Sequence, residues 1–400
     1  MKKQLLFSVL LLSVNFLFAQ SWEDMAPLPG GAADARHHPV TFAIDGYGYL
    51  LAGDVNGTTA NDFMRYNAST DTWETLPDFP GAARSFSYGT SRGSKAYVGF
   101  GGSDGVPFND MWEYDSETEE WTQLSDCPCS GRYHPAFIQL DDKIFVGMGN
   151  NPSNLNDWWE YDITNDTWTE RDDLPGAERH HPFYFGVNGI AYVGFGHGNS
   201  VDGMLSIFND FYQYDPVTTE WTQLNDFPGE ARVAGTQFDY NNKGYILSGD
   251  GDNHSFMETG EFWEYEPLLD EWTQLTAHPG SSRWAPGNFV VDNHVYIMCG
   301  ESSVQLEHDM MRFNLDAIVS TPDELASNAT AVFPNPANNV VTIAGDIKQY
   351  NEVLLVNSVG QVVKTITSTT VNVEDLPRGM YFLQFVGQTN VHTEKLMLVD

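Results

Sequence analysis

One phrase recurs along the chain and limits what it can become. "WETLPDFPGAAR" begins at Trp73, "WTQLSDCPCSGR" at Trp121, "WTERDDLPGAER" at Trp168, "WTQLNDFPGEAR" at Trp221 and "WTQLTAHPGSSR" at Trp272, with an incomplete copy, "WEDMAPLP", at Trp22. Successive tryptophans lie 51, 48, 47, 53 and 51 residues apart. The arginines that close each phrase, Arg36, Arg84, Arg132, Arg179, Arg232 and Arg283, lie 48, 48, 47, 53 and 51 apart. Two independent rulers give one period, and a unit of this size cannot bury its apolar face without its neighbours.

The order within each period is constant. After the arginine comes an alternating strand, a polar turn and an apolar strand ending in glycine, as in "KAYVGFGG" or "KIFVGMGN". A loop follows, then "NDMWEYD", "NDWWEYD", "NDFYQYD" or "GEFWEYE", and finally the tryptophan strand. Four strands of about five residues make one antiparallel sheet per repeat. With 14% aromatics, 36 Gly and 20 Pro, the composition fits many short strands and tight turns, and the fold class is all-β.

These marks resemble the kelch family. They are the glycine pair or its remnant (Gly101-Gly102, Gly149-Asn150, Gly249-Asp250), the tyrosine of strand three (Tyr114, Tyr161, Tyr214, Tyr265) and the later tryptophan, over Trp22 to about Asp316. The resemblance implies a six-bladed β-propeller with one four-stranded blade per repeat. The first tryptophan strand lacks three predecessors, and the last repeat, ending "HDMMRFNLD" at Asp316, lacks a tryptophan. The segment around Trp22 to Met25 is therefore expected to pair with Met310 to Phe313, so that the N-terminal strand closes the last blade and leaves no open edge.

Histidines cluster beside the arginines: "RHHP" at Arg36 to Pro39 and Arg179 to Pro182, "RYHP" at Arg132 to Pro135. In a kelch propeller the strand after the arginine is innermost and lines the channel. The second residue past each arginine reads His38, Phe86, His134, His181, Ala234 and Ala285, and two-residue alternation places it on the arginine's face. Arg36, Arg84, Arg132, Arg179, Arg232, Arg283, His38, His134 and His181 are thus expected to ring one channel mouth as a ligand-binding set, guanidinium forks meeting carboxylates or hydroxyls. The plainer alternative has the arginines pairing with the neighbouring blade and the histidines filling a crowded channel. The three histidines come from blades one, three and four, and nothing in the spacing makes them meet. No metal, cofactor or catalytic residue is assigned. The loops after the second strand, carrying Asp54, Asp104, Asn150, His197, Asp250 and Glu301, are expected on the same face.

Other motifs weaken in context. "GTSRG" at Gly89 to Gly93 fits a nucleophile elbow but sits between two strands with no helix after it. "DGDNHSFMETGE", Asp250 to Glu261, has carboxylates at positions one, three and twelve of a calcium loop, but Ser255 stands where the turn needs glycine. The recurrent Asn-Asp pairs (Asn61-Asp62, Asn109-Asp110, Asn156-Asp157, Asn209-Asp210) read as turn-closing residues. Cys127 and Cys129 would make a strained bridge, and Cys299, in "VYIMCG", reads as a buried small hydrophobe.

The two ends carry addresses. Met1-Lys-Lys, the apolar run Leu5 to Phe18 and Ala19 read as a secretory signal over residues 1–19, ahead of a propeller over 20–316. No other segment approaches a membrane span in length. Residues 317–330, small and polar, read as a linker. From 331 to 400 come short β-branched runs separated by Gly, Pro and Asn, without tryptophan, which read as a small β-sandwich. Pro334-Asn335-Pro336, Gly360 to Val363, Asp375-Leu376-Pro377 with Gly379 and Tyr381, and Lys395-Leu396 resemble the type A C-terminal sorting domain of type IX secretion in Bacteroidota. That resemblance implies export through both membranes by the type IX machinery, removal of the domain, and release or attachment to surface glycolipid.

The formal charge of −36, more negative still once Lys2 and Lys3 leave, makes nucleic acid and anionic membranes poor partners. The reading is a secreted or surface binding protein, non-catalytic, that recognises a glycan or protein at the channel mouth. The alternative is a carbohydrate-active kelch enzyme of the sialic-acid mutarotase kind, with acid and base drawn from His38, His134, His181 or Glu301. Galactose-oxidase-like copper chemistry is disfavoured, because no cysteine is placed to crosslink a tyrosine beside two histidines.

Overall fold

The computed structural model describes residues 21–199, 206–251, 254–318, 331–333, 337–344, 347–357, 361–386 and 391–399. Residues 1–19, expected as a secretory signal, and most of the expected linker lie outside these. Two compact units are present, Met1–Ile318 and Val319–Asp400.

The first unit holds six four-stranded antiparallel sheets. Blade one is Val40–Ile44, Tyr47–Leu51, Phe63–Asn67 and Thr72–Leu76. Its first strand alternates: Val40, Phe42 and Ile44 are buried between sheets, while Thr41 and Ala43 line the channel. The second strand is buried on both faces because sheets lie on either side of it. The first strands of the six blades touch in a closed cycle, the last, Gly287–Val291, returning to Val40–Ile44. Trp22–Met25 pairs antiparallel with Met310–Asn314 (Trp22 opposite Phe313, Met25 opposite Met310), so both ends of the unit share blade six.

A ring of backbone bonds closes the circle. The amide of Gly53 donates to the Arg84 carbonyl, Gly101 to Arg132, Gly149 to Arg179, Gly196 to Arg232, Gly249 to Arg283 and Gly300 to Arg36, at 2.8–3.2 Å. Each of these glycines has positive φ, and a Cβ on Gly149 would stand 2.5 Å from the Tyr133 carbonyl. The first glycine of the kelch pair is therefore kept in all six blades. The second position faces away from that contact and varies as Asp54, Gly102, Asn150, His197, Asp250 and Glu301.

The second unit has a three-stranded sheet (Ala331–Phe333, Val340–Ala344, Thr370–Asn372) and a four-stranded one (Val362–Thr365, Glu352–Asn357, Gly379–Val386, Val391–Leu398). Val341, Leu355, Val373, Phe385 and Leu396 form its core. Pro334 to Pro336 and Gly360 lie outside the described residues. Among the described residues no helix is long and apolar enough to cross a membrane.

Two smaller expectations are corrected, and a third motif is placed. Cys127 and Cys129 are joined by a disulfide, whereas the C-P-C spacing had argued against a bridge; Cys299 is free and buried. Ser91 of "GTSRG" lies in the first strand of blade two and donates to the Ala43 carbonyl at 2.6 Å. Glu261, twelfth in the calcium-like loop, is occupied by Arg232 and the Trp263 indole; Asp252 and Asn253 lie outside the described residues.

Candidate functional site at the channel mouth

The arginines and the histidines, expected on one face, separate. Each guanidinium turns into its own blade and is at most 5% exposed. Arg36, Arg84, Arg132, Arg179 and Arg283 bind Asp62, Asp110, Asp157, Asp210 and Asp309 through both terminal nitrogens at 2.5–2.8 Å. One of those nitrogens also donates to the carbonyl preceding the conserved glycine, at Ala52, Phe100, Met148, Phe195 or Cys299. Buried charge is tolerated only when paired and hydrogen-bonded in this way. The forks are spent on the fold: they meet neither a neighbouring blade's carboxylate nor the channel. The Asn-Asp pairs are likewise more than turn-closers, since the Asp holds the arginine while Asn61, Asn109, Asn156 and Asn209 donate to the carbonyls of Phe79, Cys127, Leu174 and Phe227.

Two residues on, the backbone flips. His38, Phe86, His134, His181, Ala234 and Ala285 all have φ between 49° and 62°. A left-handed non-glycine residue is uncommon, and six at one repeat position break the strand alternation that put them beside the arginines. Four of them are held there by bonds between blades: the amides of His38, His134, His181 and Ala285 donate to the carbonyls of Ala285, Phe86, His134 and Ala234 in the preceding blades, at 2.6–3.2 Å. The side chains consequently point to the axis. His38 Nε2 lies 2.9 Å from His181 Nε2, and the His134 and His181 rings are 3.5 Å apart. One ring nitrogen from each of the three lies within 4.8 Å of the others, a set that could hold a metal. Phe86 packs on His38 and His134, filling blade two's sector.

The residue immediately after each arginine builds the mouth above this ring. His37 pairs with Asp54, Tyr133 with Asn150, His180 with His197, Val233 with Asp250 and Trp284 with Glu301. The loops after the second strands thus do gather on this face. His254 joins from the blade-five loop against His197, so seven of the chain's eleven histidines form one cluster: His37, His38, His134, His180, His181, His197 and His254. His37, His180, His254 and Trp284 were not singled out from the sequence, although the doubled histidine of "RHHP" was the available signal.

Burial sets the charge of this cluster. It pulls His38, His134 and His181 well below the ordinary histidine range, with neighbouring imidazoles adding to the effect, and brings His180 down to about 3. His37 is lowered by burial, against the opposing pull of Asp54 and Glu301. Asp250 is pushed up to about 6 by burial and then by Glu301. Several buried polar atoms have no partner among the described residues: His134 Nε2, His181 Nδ1, both ring nitrogens of His197, Asp250 Oδ1 and Trp284 Nε1.

Below the ring lies a channel cavity of about 300 Å³, bordered by His38 and Ala285 and lined by polar groups including Thr41, Ser91, Gln139, Gln237 and Asp239. Asp239 opens onto the channel but is surrounded by protein, and this burial pushes its carboxyl up to about 6.

Fold and site define an exported, closed β-propeller of kelch type with a histidine-lined axis. The chain belongs to the Attractin/LZTR1 beta-propeller family, whose profile matches residues 48–313, and residues 331–399 match the secretion system C-terminal sorting domain. That domain directs export by type IX secretion to the cell surface or the extracellular space. Two N-acetylneuraminate epimerases of Haemophilus influenzae, strains PittEE and 86-028NP, are 35% identical over 82 residues, 19% of this chain and 21% of theirs. The chain therefore matches about a fifth of the length of these relatives. A solved structure titled "Structure of YjhT" superposes with a TM-score of 0.55 at 17% identity, covering 64% of this chain and 87% of that one, a likeness of fold.

Proposed function

We propose that the exported propeller is a binding protein that takes a glycan at the mouth formed by His37, His180, His197, His254, Asp250 and Trp284. The observation that carries this reading is the unspent hydrogen-bonding capacity there: among the described residues both nitrogens of His197, Asp250 Oδ1 and Trp284 Nε1 find no partner, next to the half-buried rings of Trp284 and Tyr133. Neutral imidazole and indole groups with one carboxylate acceptor, beside an aromatic plane, suit a hydroxyl-rich ligand. The six arginines serve the site indirectly, by fixing where each blade begins. Attachment of the processed chain to surface glycolipid fits the sorting domain and belongs to the same proposal.

A second reading has one observation in its favour. Asp250 near 6, among imidazoles that stay neutral, can give or take a proton at physiological pH, as a sugar mutarotase requires. The local similarity to N-acetylneuraminate epimerases supports it over a fifth of their length.

A glycan array on the mature chain, followed by titration of the best binder, tests the proposal. Binding lost in His197→Ala and Trp284→Ala but kept in Asp239→Asn, in the channel below, is the expected result. Retention by no glycan, with capture of a protein instead, would overturn it. Accelerated mutarotation of N-acetylneuraminate, abolished in Asp250→Asn, would establish the enzyme.

A further inference from the structure

We propose that His38, His134 and His181 form a binding site for one divalent first-row transition-metal ion on the propeller axis, with zinc(II) its leading occupant. The inference does not rest on the binding role proposed above.

Hydrogen bonding within the trio is incomplete without an ion. The Nε2 atoms of His38 and His181 lie 2.9 Å apart, so one must carry a proton and the other accept it. If His38 carries it, the His181 proton moves to Nδ1 and is buried without an acceptor. If His181 carries it, the same Nδ1 is a buried bare acceptor. His181 Nδ1 has no partner in either tautomer, and His134 Nε2 is orphaned as well. An imidazole acting as channel filler needs no such arrangement, and blade two does the filling with Phe86.

An ion bound through Nε2 would relieve the His38–His181 contact and give His134 Nε2 a partner, while the His181 Nδ1 proton stays without an acceptor. With Nε2 of each ring as the ligand atom, the protons sit on Nδ1. His38 Nδ1 lies 2.8 Å from His37 Nδ1, and His134 Nδ1 lies 3.3 Å from Asn150 Oδ1. Metal-bound histidines commonly donate their second N–H to an outer partner of this kind, and here two of the three do. His37 is itself next to Asp54 and Glu301, which favour positive charge at the site. Ligand distances of about 2.0–2.1 Å in a tetrahedron set nitrogens about 3.3 Å apart. The observed separations, from 2.9 Å to within 4.8 Å, bracket that value.

The donor set and its surroundings narrow the ion. Three imidazoles without carboxylate or thiolate suit zinc, copper, nickel or iron rather than calcium or magnesium. Ala234 and Ala285 complete the ring with side chains too short to reach the axis, and Ala285 with His38 borders the channel cavity. A fourth position is thereby left to water or a small ligand from the channel, the pattern of open sites with three protein ligands.

The test uses the mature chain stripped with a chelator and reloaded with zinc(II), or with cobalt(II) as a visible probe. One ion per chain, tetrahedral cobalt bands and three imidazole nitrogens in the zinc X-ray absorption spectrum are expected. His134→Phe and His181→Phe, which copy the residue of blade two, should weaken binding on the order of 100-fold or more, while His294→Ala, on a blade-six strand, leaves it unchanged. No retained ion, binding unaltered in both Phe variants, or loss only on replacing His197 or His254 would overturn the site. Should the Phe variants fail to fold, the wild-type absorption spectrum decides, and fewer than three imidazole scatterers overturns it.

Discussion

Two positions two residues apart behave oppositely around the ring. The arginine is the same residue in all six blades and binds a carboxylate of its own sheet in each, with a carbonyl of that sheet as well in every blade but the fifth. The residue two places on has the same backbone conformation in all six blades but a different identity: histidine three times, phenylalanine once, alanine twice. A position that repeats in chemistry serves the repeat. One that repeats only in geometry is free to serve something else, and three histidines converge there.

Blade five shows how closely the first position is tuned. Its carboxylate is Glu261, one methylene longer than the Asp elsewhere. Arg232 reaches it through a single nitrogen at 2.5 Å, and its other terminal nitrogen is a buried orphan. Burial lowers the Arg232 pKa, with Glu261 opposing.

The contrast can be broken most forcefully at an arginine. Arg132→Ala strands Asp157 and is expected to cost about 3–5 kcal/mol in chemical denaturation. Arg232→Ala, removing an already incomplete pair, should cost clearly less; equal losses would show that pairing is not what the arginines contribute. Next comes the glycine of the ring. Gly149→Ala, at φ 87° and 2.5 Å from the Tyr133 carbonyl, should cost about 1–3 kcal/mol, whereas Asn150→Ala should move the melting temperature little.

A histidine off the axis provides a control of similar or smaller size. His278 has both ring nitrogens in use, one near Ser248 Oγ at 3.0 Å and one near the Pro279 carbonyl at 2.9 Å, and burial lowers it to about 4. The unfolded chain binds that proton near 6.5, so the folded state binds fewer protons between the two values. Stability is therefore full above about 6.5 and falls as pH drops towards 4. His278→Asn should flatten part of that slope in melting curves taken across the range, at some loss of stability at neutral pH. The smallest effect is expected on the axis: His134→Phe keeps volume roughly and removes an orphaned nitrogen, and should change stability by about 1.5 kcal/mol or less. A loss as large as that of Arg132→Ala would mean the axis histidines are scaffold after all.

Much of the fold was legible because its causes are local and repeat. Alternating runs, turn residues and a period near fifty residues dictate sheets that must share faces. A tryptophan strand without three predecessors and a last repeat without a tryptophan leave one economical closure, which the pairing of Trp22–Met25 with Met310–Asn314 realises. The site was legible only in part. The arginines and axis histidines were found, but strand alternation placed them together. Of the six left-handed residues that separate them, His38, His134, His181 and Ala285 are held by bonds between blades, which no window of one repeat contains. His254 and Trp284 were missed for the same reason, since their partners His197 and His37 come from other repeats.

By itself the sequence determined the number of sheets, their closure, the export signals and the recurrence of "RHHP", because each follows from near neighbours along the chain. Only the tertiary structure decided which way those side chains point and whether they meet. His38 and His181 are 143 residues apart, and their contact depends on the angle through which three successive blades turn about the axis, a quantity that a linear period does not carry.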